Sequence, residues 1–399
     1  MCPLPTGAAA PYRGQSLFRL TVLVLALALL SGCATAPQSQ RISQTVPADL
    51  PPRAELTDTA FFPQEDYQCG PAALATVLVG QGIEITPEEL VREVYVPERQ
   101  GSLQAEMRAA ARARGLVAYR LRPELADILA EVAAGNPVLV FQNLGLGLAP
   151  RWHYAVVIGY DLDAGLIVLR SGTIERHVND LPRFERTWAR GERWAFVALP
   201  PDRLPATAEP LAWLRAVNEL EQTGMLTAAA SGYQAAMQRW PEQHIGYLGL
   251  ANTHFAVGEF ALAERALRDL LQRQPQRHEA WNNLAHVLAA RQCGRQARSA
   301  AECAVALAPQ AAVYERTART VMDAASTGAD CRPTPPCPAF GQRAHPAAGM
   351  ATAWPTGAAG AVPVGAAPTT GAPPGPNVND AGLLRPSGRP KLGQWILSR

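Results

Sequence analysis

The pattern of apolar and polar positions divides the chain into four textures. A continuous apolar run, LTVLVLALALL (20–30), follows Arg13 and Arg19 and is closed by SGC at 31–33. A bilayer-spanning helix needs roughly 20 such residues, so this run has the layout of a secretory signal core. From 61 to about 200 two periods alternate. PAALATVLVGQG (71–82), TPEELVREVYV (86–96) and SLQAEMRAAARARG (102–115) carry helix formers at helical spacing. Thr86 with Glu89 reads as a capping box, Pro87 suits a first helical turn, and Gly115 is a stop signal. Strand-length apolar runs follow: LVAYRL (116–121), PVLVFQN (137–143), HYAVVIGYD (153–161), GLIVLRS (165–171) and RWAFVAL (193–199). Helices first and mostly antiparallel strands afterwards predict an α+β domain.

From 205 to 323 the strand signal disappears and a repeat takes over. Pro241, Pro275 and Pro309 recur every 34 residues, as do Trp213, Tyr247 and Trp281, and Ala229, Ala263 and Ala297. Gly224 and Gly258 share that interval, at positions where a tight turn needs positive φ. The period and its aromatic, small-residue and proline columns resemble the tetratricopeptide repeat. That resemblance implies helix pairs at 210–223/225–239, 244–257/259–273 and 278–291/294–308, with a capping helix near 310–323. The third unit has Gln292 in the glycine column and Gly294 two residues later, which predicts a shifted turn. Residues 325–399 are dominated by Ala, Gly, Pro and Thr and are expected to be disordered.

Charge and cysteine content narrow the function classes. The formal net charge is +2 and no basic stripe interleaves with aromatics, which points away from nucleic acid. The 7 cysteines show neither a CxxC zinc pattern nor disulfide-framework spacing, and nothing calls for a metal or cofactor. Cys293 with Cys303, or Cys331 with Cys337, are the pairs expected to bridge in an oxidising compartment; free thiols are the alternative.

The segment LLSGCA (29–34) resembles the bacterial lipobox. The resemblance implies an acylated Cys33 at the mature N-terminus, and hence attachment to a membrane through several acyl chains. Ala34 after that cysteine implies outer-membrane sorting, with the body facing the periplasm. Residues 34–60, rich in Pro, Ser, Gln and Thr, then read as a linker that tethers the folded part.

Candidate chemistry centres on QEDYQCGPAAL (64–74). Cys69 sits where a helix begins, so free N–H groups and the helix dipole are expected to favour a thiolate nucleophile. Its own backbone N–H is free to meet an oxyanion, and Gly70 leaves room for a substrate carbonyl. The alternative is a small buried residue at a helix start. His153, at the head of the strand WHYAVVIGYD, is the natural base, while His177 lies in the polar IERHVND, a loop or sheet edge.

PQEDYQCGPAAL followed by WHYAVVIGYD resembles the C39 bacteriocin-processing cysteine peptidases, a papain-like family, and especially their C39-like relatives outside transporters. The likeness covers residues 61 to about 199. It implies Cys69 as nucleophile, His153 as general base and acid, and Gln64 as oxyanion donor, with Gln68 nearby. Gln64 lies one residue closer to the cysteine than in the better-known members. The family's aspartate is missing: the corresponding stretch is IVLRSGT (167–173). Asp161 and Asp163 lie roughly 26 Å along an extended strand from His153, beyond hydrogen-bonding reach. A hairpin centred near 163–164 brings Ser171, Thr173 or Glu175 opposite His153. Ser171 fits the family position best, and Glu175 is the only acid among them.

The expected architecture is therefore an α+β papain-like domain (61–200), an all-α tetratricopeptide solenoid (205–323) and a disordered tail. The expected activity is an anchored cysteine peptidase acting on a peptide or protein substrate, with repeats that recruit substrate or a protein partner. The competing readings are a degenerate peptide-binding scaffold and, more remotely, a transferase using the same thioester chemistry.

Overall fold

A seven-stranded antiparallel sheet organises the first half of the chain, in a computed structural model that describes residues 36–63, 68–328 and 330–339. The chain opens with α1 (Pro37–Gln44) and β1 (Arg53–Glu55). Helices α2 (Cys69–Val79), α3 (Pro87–Val94) and α4 (Gln104–Arg112) follow, with the small ribbon β2 (Tyr95–Val96) and β3 (Gly101–Ser102) inserted before α4. Then come β4 (Val117–Arg120), α5 (Leu125–Ala133), β5 (Val138–Asn143), β6 (Trp152–Asp161), β7 (Leu166–Ser171), β8 (Ile174–Asp180), α6 (Leu181–Arg190) and β9 (Ala195–Leu199). The sheet order is β4-β9-β5-β6-β7-β8, with β1 also paired to β6.

Strand alternation separates two apolar layers. Leu139, Tyr154, Val156 and Phe196 face α2, α3 and α4, while Val138, Val140, Ala155 and Val157 face α5 and α6. The capping box at α3 is formed: Glu89 N–H donates to Thr86 Oγ1 (3.4 Å) and Thr86 N–H to Glu89 Oε2 (2.9 Å). Three elements carry little local signal. The edge strand β8 is mostly exposed, so it has no apolar alternation to read. Helices α5 and α6 are short, and burial of Ile128, Leu129, Phe184 and Trp188 on the sheet stabilises them.

The expected free tether over 34–60 is corrected. The buried carboxylate of Glu185 on α6 accepts the N–H groups of Gln38 (3.0 Å) and Ser39 (2.7 Å) and the Ser39 hydroxyl (2.7 Å). A carboxylate at the start of α1 satisfies donors that the helix cannot satisfy itself. Farther on, β1 joins the sheet with Arg53 opposite Asp161. Residues 37–55 are thus docked, which leaves only 34–36 between Cys33 and the folded body.

The repeats comprise α7 (Pro210–Gln222), α8 (Leu226–Arg239), α9 (His244–Ala256), α10 (Phe260–Arg273), α11 (His278–Ala290), α12 (Gly294–Leu307) and the capping α13 (Ala312–Val321). Gly224 and Gly258 take positive φ (+84° and +82°) in the turns. The third turn is not shifted: Gln292 itself adopts φ 60°. Gly294 serves another purpose, since a Cβ there would collide with the Ala324 carbonyl.

The solenoid is fused to the sheet domain. Glu131 on α5, fully buried, accepts hydrogen bonds from Ala206 N–H (3.2 Å), Thr207 N–H (2.8 Å) and Thr207 Oγ1 (2.6 Å). Tyr119 and Trp213 pack with ring centroids 6.4 Å apart, and one apolar core runs from the sheet through the repeats. Such a shared core holds the repeats in one orientation relative to the sheet.

The cysteine pairing also differs from the expected one. The disulfides are Cys293–Cys331 and Cys303–Cys337, with Cα separations of 5.5 and 5.7 Å. Cys293 and Cys303 lie roughly 15 Å apart along the axis of α12, too far to bridge each other. The start of the supposedly disordered tail forms instead a strap over α12. Arg268 donates to the carbonyls of Arg332 (3.1 Å) and Pro333 (2.8 Å), and Gln296 to that of Cys331 (3.0 Å). The remainder of the tail, from 340 on, lies outside the described residues.

Candidate active site

Cys69 is the first residue of α2 and Gln68 its half-buried N-cap. Pro71 is tolerated because the opening N–H groups of a helix have no intrahelical acceptor. Every residue of α2 from Gly70 to Leu78 is buried, so the helix is the spine of its layer and its first turn is held rigidly. Gly70 is required by packing: a Cβ would lie 2.6 Å from Ser102 Cβ.

The sulfur faces β6. Backbone N–H groups of Tyr154, Gly70 and Cys69 itself approach it, yet burial outweighs them and pushes the thiol above its ordinary pKa. The expectation of a resting thiolate is therefore corrected. Helix N–H groups lower a thiol's pKa only while the charged form keeps enough solvation, and this site is too closed.

His153 follows exposed Trp152 and precedes buried Tyr154 at the head of β6. Its Nε2 lies 2.8 Å from Ser171 Oγ. That contact engages Nε2, and no hydrogen bond joins the ring to Cys69 among the described residues. Burial, then the charges of His177 and Arg151, pull the imidazole down to about 4. At neutral pH the resting pair is thiol and imidazole, both uncharged.

Of the three orienter candidates, the structure brings Ser171 to the histidine. Glu175 is drawn elsewhere: its backbone carbonyl accepts from Arg170 (2.8 Å), and its 67 % exposed carboxylate lies 3.9 Å from that guanidinium. Arg170, buried in β7, also holds the carbonyls of Thr57 (2.9 Å) and Thr59 (2.7 Å), pinning the strand to the segment that leads toward Cys69. Opposite His153 on β5, Gln142 donates to Thr187 Oγ1 of α6 (2.6 Å) and braces the head of β6. Neither Arg170 nor Gln142 carries a signal in the sequence, since both act through contacts distant along the chain. Gln64 and Cys33 lie outside the described residues. Among the described residues, no group of three or more His, Cys, Asp or Glu could hold a metal ion.

The low pKa of His153 has a measurable consequence for stability. Below about pH 6.5 the unfolded chain protonates this imidazole, whereas the folded one does so only near pH 4. The unfolded state then binds more protons, and stability falls as pH drops through that window. His153→Gln should remove about 2–3 kcal/mol of this acid sensitivity between pH 7 and 4.5. Urea unfolding of both proteins at the two pH values measures it; equal pH dependence would refute the burial.

A half-buried thiol at a helix start thus lies against the backbone of Tyr154, next in the chain to a histidine whose Nε2 meets Ser171. Residues 56–193 match the family model described as the Peptidase_C39 like family, and residues 244–287 match the model described as Tetratricopeptide repeat. The chain thus carries a C39-like peptidase domain followed by tetratricopeptide repeats. No curated protein matches it. Among solved structures, it resembles a putative C39-like peptidase from Bacillus anthracis (17 % identity, TM-score 0.31), covering 37 % of this chain and 97 % of that one. It also resembles the peptidase domain of Streptococcus ComA, described as a bi-functional ABC transporter (21 % identity, TM-score 0.30), over 36 % and 98 % of the two chains. The first tetratricopeptide domain of Spaghetti, solved with an HSP90 peptide, aligns at 19 % identity and a TM-score of 0.27, over 28 % of this chain and 89 % of that one.

Proposed function

We propose that this protein is an envelope cysteine peptidase, acylated at Cys33 and held at the outer membrane facing the periplasm. It cleaves a peptide or amide bond through Cys69 and His153, and its repeats recruit substrate or a protein partner. The observation that carries the reading is the His153–Ser171 contact of 2.8 Å beside a thiol that lies against Tyr154 N–H. Two disulfides add support for an oxidising compartment.

In this mechanism His153 Nδ1 takes the thiol proton as Cys69 attacks the carbonyl, and the same proton passes to the leaving amine. The oxyanion is met by Cys69 N–H and the Gln64 side chain. Water, deprotonated by His153, then hydrolyses the thioester. Because the resting pair is neutral, proton transfer accompanies attack rather than preceding it.

Iodoacetamide labelling of Cys69 at pH 7.5, followed by mass spectrometry, tests the pair. His153→Ala should slow labelling at least tenfold through loss of the base, and an unchanged rate would remove the enzyme reading. That result would leave a peptide-binding domain without turnover, the alternative favoured by the absence of a carboxylate on His153.

A further inference from the structure

The loop between β5 and β6, LGLGLAPR (144–151), is apolar and acid-free, and it stands at the same end of the sheet as His153. Leu146 and Leu148 are 74 % and 103 % exposed, and Trp152 at its base is 54 % exposed and stacked on Phe141 with centroids 5.1 Å apart. Together Leu146, Leu148 and Trp152 make one contiguous stretch of exposed apolar side chains, which marks an interaction surface. The loop is closed on itself at its base, while the N–H groups of Gly147 and Leu148 at its tip make none of the bonds that close it. Leu144 N–H donates to Arg151 O (2.8 Å), while Leu146 and Ala149 exchange N–H···O bonds of 3.2 and 3.1 Å. Asn143 Oδ1 takes the N–H groups of Gly145 and Arg151, both at 2.9 Å. Gly145 permits this closure, since a Cβ there would collide with the Ala149 carbonyl. The closed base holds both leucines outward as one apolar tip, of a kind that enters the interfacial zone rather than the hydrocarbon core.

The position of the N-terminus says what that surface meets. β4 runs toward the same end of the sheet as β5, because both pair antiparallel with β9. At the exit of β4, the Gln38 side chain joins the carbonyl of Pro123 (2.9 Å) to the N–H of Leu125, so α1 begins at that end. Arg190, on the same helix as the Glu185 that holds α1, reaches the carbonyl of Asn143 (3.1 Å) at the root of the loop. Only residues 34–36 separate α1 from Cys33, a reach of about 10 Å.

We infer that the active-site end of the sheet lies on the bilayer, with Leu146, Leu148 and Trp152 inserted into its interface and Arg151 at the headgroups. The inference rests on acylation of Cys33. A two-point attachment, by acyl chains and by loop, holds the thiol facing the membrane surface and selects substrates presented there. Leucines supply insertion and Trp the interfacial anchor.

The test uses the acylated full chain in vesicles of phosphatidylethanolamine and phosphatidylglycerol. Cys69→Ser removes the reactive free thiol, and an environment-sensitive fluorophore is attached at Leu148→Cys or, as a control on the repeats, at Leu262→Cys. The expected result is a blue-shifted emission at 148, quenched by spin-labelled lipid at least threefold more than at 262. Flotation with the vesicles and equal quenching at the two sites would overturn the loop insertion while leaving the anchor in place. Failure to float would remove the anchor and the inference together. A probe at 148 that stays aqueous leaves the leucines to a peptide instead.

Discussion

Replacing Ser171 by aspartate is expected to raise the pKa of His153 by one to three units and the alkylation rate of Cys69 at pH 6–7 at least tenfold. Ser171 Oγ lies 2.8 Å from Nε2, so a carboxylate of nearly the same reach would face the ring directly. The imidazole now sits at about 4 because burial and the nearby His177 and Arg151 all oppose its charge. A hydroxyl orients the ring but adds no negative charge to offset them. An aspartate supplies that charge, stabilises the imidazolium and, through it, draws the thiol toward thiolate. The pH–rate profile should change from a single late rise, set by an elevated thiol, to a plateau beginning near the new histidine pKa. Ser171→Asn keeps size and hydrogen bonding without charge and should leave the profile as it is. Histidine proton shifts followed by NMR read the pKa independently of the label. If both variants behave alike, position 171 does not govern the base. Under the proposed function, the residue at position 171 would then be what limits the rate of the wild-type site.

Loss of either disulfide is expected to cost about 3–4 kcal/mol, close to the value for chain loops of this size. The bridges close sequence separations of 38 and 34 residues. For Cys293→Ser with Cys331→Ser, that corresponds to a fall in Tm of about 5–6 °C for a single transition of about 300 residues. The two loops overlap, so removing both should cost less than twice the single effect. Because one core joins sheet and repeats, calorimetry should show a single transition moving down as the bridges are reduced. A shift below 1 °C in the oxidised protein would mean that the strap does not hold α12.

Much of the architecture was legible because it is periodic. The 34-residue interval placed the repeat helices within a few residues, and the switch from helical spacing to strand-length apolar runs separated α2–α4 from the sheet. Cys69 and His153 could be singled out because a thiol at a helix start and a polar residue heading an apolar strand are both local anomalies. Ser171, Thr173 and Glu175 could not be ranked by counting alone. A bulge between Val157 and Gly159 sets the β6–β7 register, and Arg170 holds Glu175 away, so the choice depends on contacts far apart in the chain.

The same distinction separates what the amino-acid order determined from what only the tertiary structure decided. The type of most elements, the repeat length and the two candidate site residues follow from neighbouring residues, whose periods and caps act locally. The docking of residues 37–55 depends on Glu185, nearly 150 positions away, and the disulfide pairing depends on a strap crossing α12. The charge state of Cys69 and His153 depends on burial. A helix start argues for a thiolate and a strand head for a base, but solvation decides ionisation, and solvation is set by everything packed around the site.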